Sequence, residues 1–155
     1  MDIDYRIIIR SNHWPRRVVR IKKIVKRIFK YKRILKFDYK SAYFCNIVLM
    51  NDLLIKKFNK QYRKQNKYTD VLTFISNLKK NGVIEKHCDI IMSAETILND
   101  AKKNNKNFYD HFAHIVIHSI LHINGYSHKD KKNFLIMQNK EIKILHKLGL
   151  SNPYL

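Results

Sequence analysis

His118-Ser119-Ile120-Leu121-His122-Ile123-Asn124-Gly125-Tyr126-Ser127-His128 sets three histidines at i, i+4 and i+10, with a glycine at i+7. Side chains four apart on an α-helix share one face, about 6 Å apart along the axis. His118 and His122 can therefore aim two imidazoles at one place. Gly125 is the expected helix terminator, because the residue past the last turn often adopts a left-handed backbone that glycine takes without steric cost. The chain can then fold back and deliver His128 to the same point. Three neutral imidazoles meeting there make a zinc site with a fourth position open to water, the catalytic rather than the structural arrangement.

The spacing is that of the long metalloprotease motif H-E-x-x-H-x-x-G-x-x-H. One residue disagrees: the general-base Glu is replaced by Ser119. The ligand geometry survives and the peptidase base does not. Upstream, His111 and His114 lie on the same helical stripe as His118 and His122 and read as packing or hydrogen-bonded histidines. His114, one turn before His118, is also within reach of the site. His13, His87 and His146 fall outside any ligand spacing. Asp70 reads as structural, holding a loop or a histidine.

Outward from this helix, the pattern alternates strands and helices. Residues 3–9 suit a short strand. Trp14-Pro15 opens a helix expected to run to about Phe37, with Pro15 tolerated in its first turn. Val18, Ile21, Val25 and Ile28 give it an apolar face, and Arg16, Arg17, Arg20, Lys23, Arg27 and Lys30 a basic one, read as solvated or facing RNA. Residues 41–50 form a dense β-favouring run. Asn51 or Asp52 caps a helix to about Gln61, and the basic stretch 62–67 reads as a loop. Strands are expected at 71–76 and 88–92, joined by a polar connection at 77–86. Ser93 caps a helix to about Lys103. The metal-bearing helix spans 108–124, and Asp130 caps a last helix that ends at Gly149. The expected fold is α+β: a single domain over 1–155, one mixed sheet of about four strands covered by helices, with the three-His metal site at the end of a central helix.

Composition bounds the partners. The chain has 155 residues, 32 Lys+Arg against 12 Asp+Glu, and a formal charge of +20. Such a field attracts polyanions, RNA foremost. The abundance of Lys, Asn and Ile also matches AT-rich coding. Cys45 and Cys88 are too few for a disulfide framework or a cysteine metal site. No stretch reaches ~20 apolar residues, so no membrane span is expected. The opening residues, with Asp2 and Asp4, lack the form of a secretory leader. The expected location is the cytoplasm.

The segment from His111 to His128, HFAHIVIHSILHINGYSH, resembles the signature of the YbeY family, H-G-x-L-H-L-x-G-Y-D-H. These are bacterial rRNA maturation factors, metal-dependent single-strand endoribonucleases. Asn59-Lys60-Gln61-Tyr62-Arg63 and Thr69-Asp70-Val71-Leu72-Thr73-Phe74 are similar to the family's N-x-x-Y-R and T-D-V-L-S-F. The tail from Gly149 to Tyr154, with Met137 and Glu141 upstream, is similar to its closing M-x-x-x-E and L-G-x-x-x-P-Y. The likeness runs from about residue 40 to the end. Ser119 stands for the family's Gly, Ser127 for its Asp, and Cys88 for the Gly of its G-D-I piece.

The resemblance implies a zinc-dependent endoribonuclease of ribosome biogenesis that matures the 3′ end of the small-subunit 16S rRNA. It also implies the same α+β architecture. The implied partners are ribosomal RNA and the small ribosomal subunit, with one zinc ion per chain, no other cofactor and no membrane. Metal ligands are then His118, His122 and His128, and the catalytic group is Arg63 with His118 and His122. The guanidinium of Arg63 suits bidentate phosphate contact, and it matches the family's arginine. Ser127 removes an acid beside His128, so weaker zinc retention is expected. Two other readings compete: a zinc peptidase, disfavoured by Ser119, and a non-catalytic basic ribosome-assembly factor with a structural metal. The sequence leaves the oligomeric state and the general base open.

Overall fold

The β-branched and aromatic run at 41–50 forms strand β2 (Ser41–Met50) inside a four-stranded sheet. The computed structural model describes residues 3–155, so the reading of Asp2 lies outside the described residues. Alternate residues of β2, Tyr43, Cys45, Ile47 and Leu49, are buried, as the two-residue period of a strand requires. Strand β1 (Ile3–Ile9) runs parallel to β2 on one side. Strand β4 (Val83–Ser93) runs parallel to it on the other, setting Ile47 opposite Ile90 and Leu49 opposite Met92. Strand β3 (Val71–Lys80) closes the order β1-β2-β4-β3, antiparallel to β4. Cys45 and Cys88 stand opposite each other as buried free thiols.

Helices cover both faces unequally. Helices α1 (Val18–Phe29), α3 (Ala94–Lys103), α4 (Phe108–Ile123) and α5 (Lys131–Lys147) share the main core with the inner face of the sheet. Helix α2 (Asp52–Arg63) packs on the opposite face, where Ile55 meets Met50, Leu72 and Ile91. Phe112, Ala113, Val116, Ile117, Ile120 and Leu121 of α4 are fully buried. A helix so apolar around its circumference belongs in the interior. Two predicted caps form: Asn51 accepts from the Leu54 N–H at 2.9 Å, and Asp130 from that of Asn133 at 2.9 Å; Asn107, in a stretch read only as a break, also caps, accepting from the Tyr109 N–H at 2.8 Å. Ser93 precedes α3 as expected, but its hydroxyl donates to Asp52 at 2.6 Å instead of capping.

The end of the first helix and the 77–86 connection differ from the sequence reading. The helix expected to reach Phe37 is shorter: Pro15–Arg17 form a 3-10 turn, α1 stops at Phe29, and the chain turns with Lys36 at φ 60°. Turning drops Leu35 and Phe37 into the core, where Phe37 packs edge-on against Tyr43 with ring centroids 4.7 Å apart. Local helical pattern loses to this burial. Residues 77–86 are not a loose connection but the end of a β3–β4 hairpin, with Lys80 opposite Val83. Its turn is Asn81-Gly82, with φ of 50° and 79°. A two-residue turn with both φ positive suits the twist of the flanking strands, and Asn-Gly is its strongest signal. Among the described residues, no helix is long and apolar enough to cross a membrane.

Candidate metal centre

Helix α4 ends as its glycine demands. Gly125 has φ 93°; its N–H donates to the His122 carbonyl at 3.0 Å, and the Tyr126 N–H donates to the Leu121 carbonyl at 3.0 Å. This is the Schellman pair of bonds. It reverses the chain, and His128 returns to the two helical histidines. Ring centroids are 4.5 Å apart for His118–His122, 4.8 Å for His122–His128 and 5.5 Å for His118–His128. Ligand atoms of the three all lie within 4.8 Å of one another.

Hydrogen bonding sets the tautomers. His122 Nδ1 lies 2.9 Å from the Tyr126 carbonyl, an acceptor only, so this nitrogen carries the proton. His118 Nδ1 lies 2.5 Å from a carboxylate oxygen of Glu141 and likewise donates. Both Nε2 atoms are then bare lone pairs, and they face each other at 2.9 Å. Two acceptors so placed repel unless a cation joins them. Tetrahedral zinc with Zn–N bonds of about 2.0–2.1 Å holds its ligand nitrogens roughly 3.3 Å apart. The donor set therefore fits a divalent metal. Burial, and then the neighbouring His118, pushes the His122 pKa below its ordinary value, which favours the neutral ring a metal needs.

Glu141 anchors the back of the site. It is 1% exposed and accepts from His118 Nδ1, from His114 Nε2 at 2.8 Å, and from the Tyr154 hydroxyl. Burial pushes its carboxyl upward, but the bonds from His114, His118 and Tyr154 outweigh that and hold it at about 2. Burial and the bond to Glu141 push the Tyr154 phenol up. The sequence reading assigned Glu141 no role. The available signal was the M-x-x-x-E and P-Y pieces, whose spacing says nothing about which histidine they reach. His114, expected as a packing or nearby group, faces Glu141.

Arg63 is the last residue of α2, where a loop was expected. Lys64 follows it in a left-handed conformation, φ 55°, and the buried Asn59 donates to the Lys67 carbonyl at 2.9 Å, pinning the turn. The Arg63 guanidinium sits 6.0 Å from the Phe74 ring centroid. A cavity of about 360 Å³ is lined by Arg63, Thr73, Ile75 and the three histidines, together with Ser119. The structure thus brings Arg63, His118, His122 and His128 to one cavity. Among the described residues, no carboxylate lines it. Ser119 is 1% exposed and its Oγ has no hydrogen-bond partner among the described residues. His111 lies away from the cavity, its ligand nitrogen within 4.8 Å of the carboxylates of Asp70 and Asp100. Asp70 Oδ1 accepts from the Val71 N–H at 2.8 Å, the loop-holding part expected of it.

The chain is similar to several known proteins. The family model described as Endoribonuclease YbeY matches residues 8–149. A protein named Endoribonuclease YbeY from Ruthia magnifica subsp. Calyptogena magnifica is 41% identical over 108 residues, covering 70% of this chain and 74% of the relative. Its namesake from Ehrlichia chaffeensis is 33% identical over 153 residues, covering 97% and 90%. A Thermotoga maritima protein solved in solution superposes with a TM-score of 0.57 at 23% identity, over 94% of this chain and 91% of that one, a likeness of fold.

Proposed function

This chain belongs to the Endoribonuclease YbeY family, and on that premise we propose that it is a zinc-dependent, single-strand-specific endoribonuclease of ribosome biogenesis. Its substrate on this reading is precursor ribosomal RNA of the small subunit, cut to mature the 16S 3′ end in the cytoplasm. The observation that carries the metal part is the pair of Nε2 lone pairs of His118 and His122 facing each other at 2.9 Å. His118, His122 and His128 hold one zinc per chain, with no other cofactor. A bound zinc supplies Lewis acidity toward a phosphate oxygen and a water.

The chain's own residues do the rest. The planar fork of Arg63 contacts non-bridging phosphate oxygens and meets the charge that builds on them. Glu141 fixes the ring of His118, and the Tyr126 carbonyl fixes that of His122. The +20 charge draws RNA toward the cavity. Ser119 at the peptidase base position, with no carboxylate among the described residues that line the cavity, speaks against protein hydrolysis.

The test is metal content per chain in tag-free protein, wild type beside His128→Ala, followed by cleavage of single-stranded against duplex RNA. About one zinc in the wild type, little in the variant and metal-dependent cutting of single strands support the proposal. About one zinc per chain with RNA binding retained and no metal-dependent cleavage would replace it with the assembly-factor reading, and no metal after incubation with zinc would overturn the metal site. Digestion of casein would replace it with the peptidase reading.

A further inference from the structure

A second concave surface lies beside the metal cavity. The turns after α1 and the exposed side of α5 enclose a groove of about 490 Å³. Arg33 and Lys36 line it from the turns, Lys140 and Lys143 from α5, and Ile34 and Ile136 add apolar surface. Among the described residues, no carboxylate lines it and none of the four cations pairs with an acid. Lys140 and Lys143 are three apart, hence neighbours on one helical face. Four like charges brought together from two elements, without counter-charge, repel one another and gain from an anionic ligand.

The groove is tied to the metal centre at both walls. The Asn124 amide donates to the Leu35 carbonyl at 2.7 Å, which fastens the turns to the end of α4. Lys140 Nζ lies 5.2 Å from the centroid of the Tyr126 ring, and the Tyr126 carbonyl orients His122. Both walls thus abut the reversal that carries His128. The geometry points to a binding track for the single-stranded RNA flanking the scissile bond, with Arg33, Lys36, Lys140 and Lys143 on successive phosphates and Ile34 and Ile136 against bases. This inference rests on the endoribonuclease reading.

The experiment compares the zinc-loaded wild type with Arg33→Ala/Lys143→Ala, which removes one exposed cation per wall. A control, Lys102→Ala/Lys103→Ala at the exposed end of α3, removes the same charge elsewhere. Binding of a long oligouridylate is titrated against salt, and cleavage of a dinucleotide too short to reach the groove is timed. Each lost phosphate contact lowers the slope of log K against log salt by about 0.7 for single strands. The groove variant should lose about 1.4 from that slope and the control nothing, with dinucleotide cleavage unchanged in both. The charge-reversed Arg33→Glu/Lys143→Glu should weaken binding further at an unchanged melting temperature. Equal slopes for groove and control variants overturn the track and leave the endoribonuclease reading intact. Loss of dinucleotide cleavage in the groove variant also overturns it, since the damage then lies in the cavity. A wild type that neither binds nor cuts RNA overturns both.

Discussion

Glu141 of α5 accepts a hydrogen bond from His118 Nδ1 of α4 at 2.5 Å while only 1% exposed. Twenty-three residues separate the two in sequence, and the bond ties the first ligand of the motif to a different helix. A carboxylate behind a ligating imidazole fixes its tautomer and raises its basicity. Glu141→Gln keeps the shape and removes the charge. Zinc affinity should fall by roughly 10–100-fold, read by competition with a chromogenic chelator. Unchanged affinity would reduce Glu141 to a packing role.

Arg63 stands in the cavity with the histidines but outside their bonding network. Arg63→Ala should therefore leave zinc content at the wild-type level and lower RNA cleavage by about 10²-fold or more, the scale seen when one donor to a developing oxyanion is lost. Arg63→Lys should recover only part, because an ammonium cannot offer the two-pronged contact. Full activity in Arg63→Ala would remove it from the catalytic group.

Ser119 is buried, and its hydroxyl has no hydrogen-bond partner among the described residues. A buried unsatisfied hydroxyl costs about 1–3 kcal/mol. Ser119→Ala should match or exceed the wild type in thermal stability, and zinc content and cleavage should persist. Loss of cleavage in a folded, zinc-loaded Ser119→Ala would give the hydroxyl a chemical role.

Ser127 is half-buried next to His128, and no hydrogen bond of its side chain is recorded among the described residues. Ser127→Asp would place an acid where this chain has none. Zinc should be held more tightly, by up to the 10–100-fold that outer partners contribute. No gain would mean that Glu141 already supplies the charge balance the site needs.

Burial, then the neighbouring His118, pushes His122 below its ordinary pKa of 6.5. The folded metal-free chain then binds fewer protons than the unfolded one below that pH. Its stability should be level above 6.5 and decline as pH falls through it. Zinc holds the same rings neutral and should move the decline to lower pH. Urea melts across this range, with and without zinc, measure both effects. A metal-free His122→Asn protein that declines as steeply as wild type would contradict the assignment.

The spacing of His118, His122, Gly125 and His128 determined the central helix, its end and the convergence of three imidazoles, because helical period and glycine backbone freedom are local properties. The alternating run 41–50 and the caps at Asn51 and Asp130 were legible for the same reason. The Asn81-Gly82 hairpin was missed and read as a polar connection, because its exposed polar strands hid the two-residue period that burial imposes. What only the tertiary structure decided were contacts between elements distant in sequence. The stop of α1 at Phe29 follows from the room the core offers Leu35 and Phe37. The placing of Arg63 beside the histidines depends on where α2 ends against β3. The role of Glu141 depends on the packing of α5 on α4. A local pattern carries the direction a side chain takes from its own helix, but not the identity of the atom it meets on another.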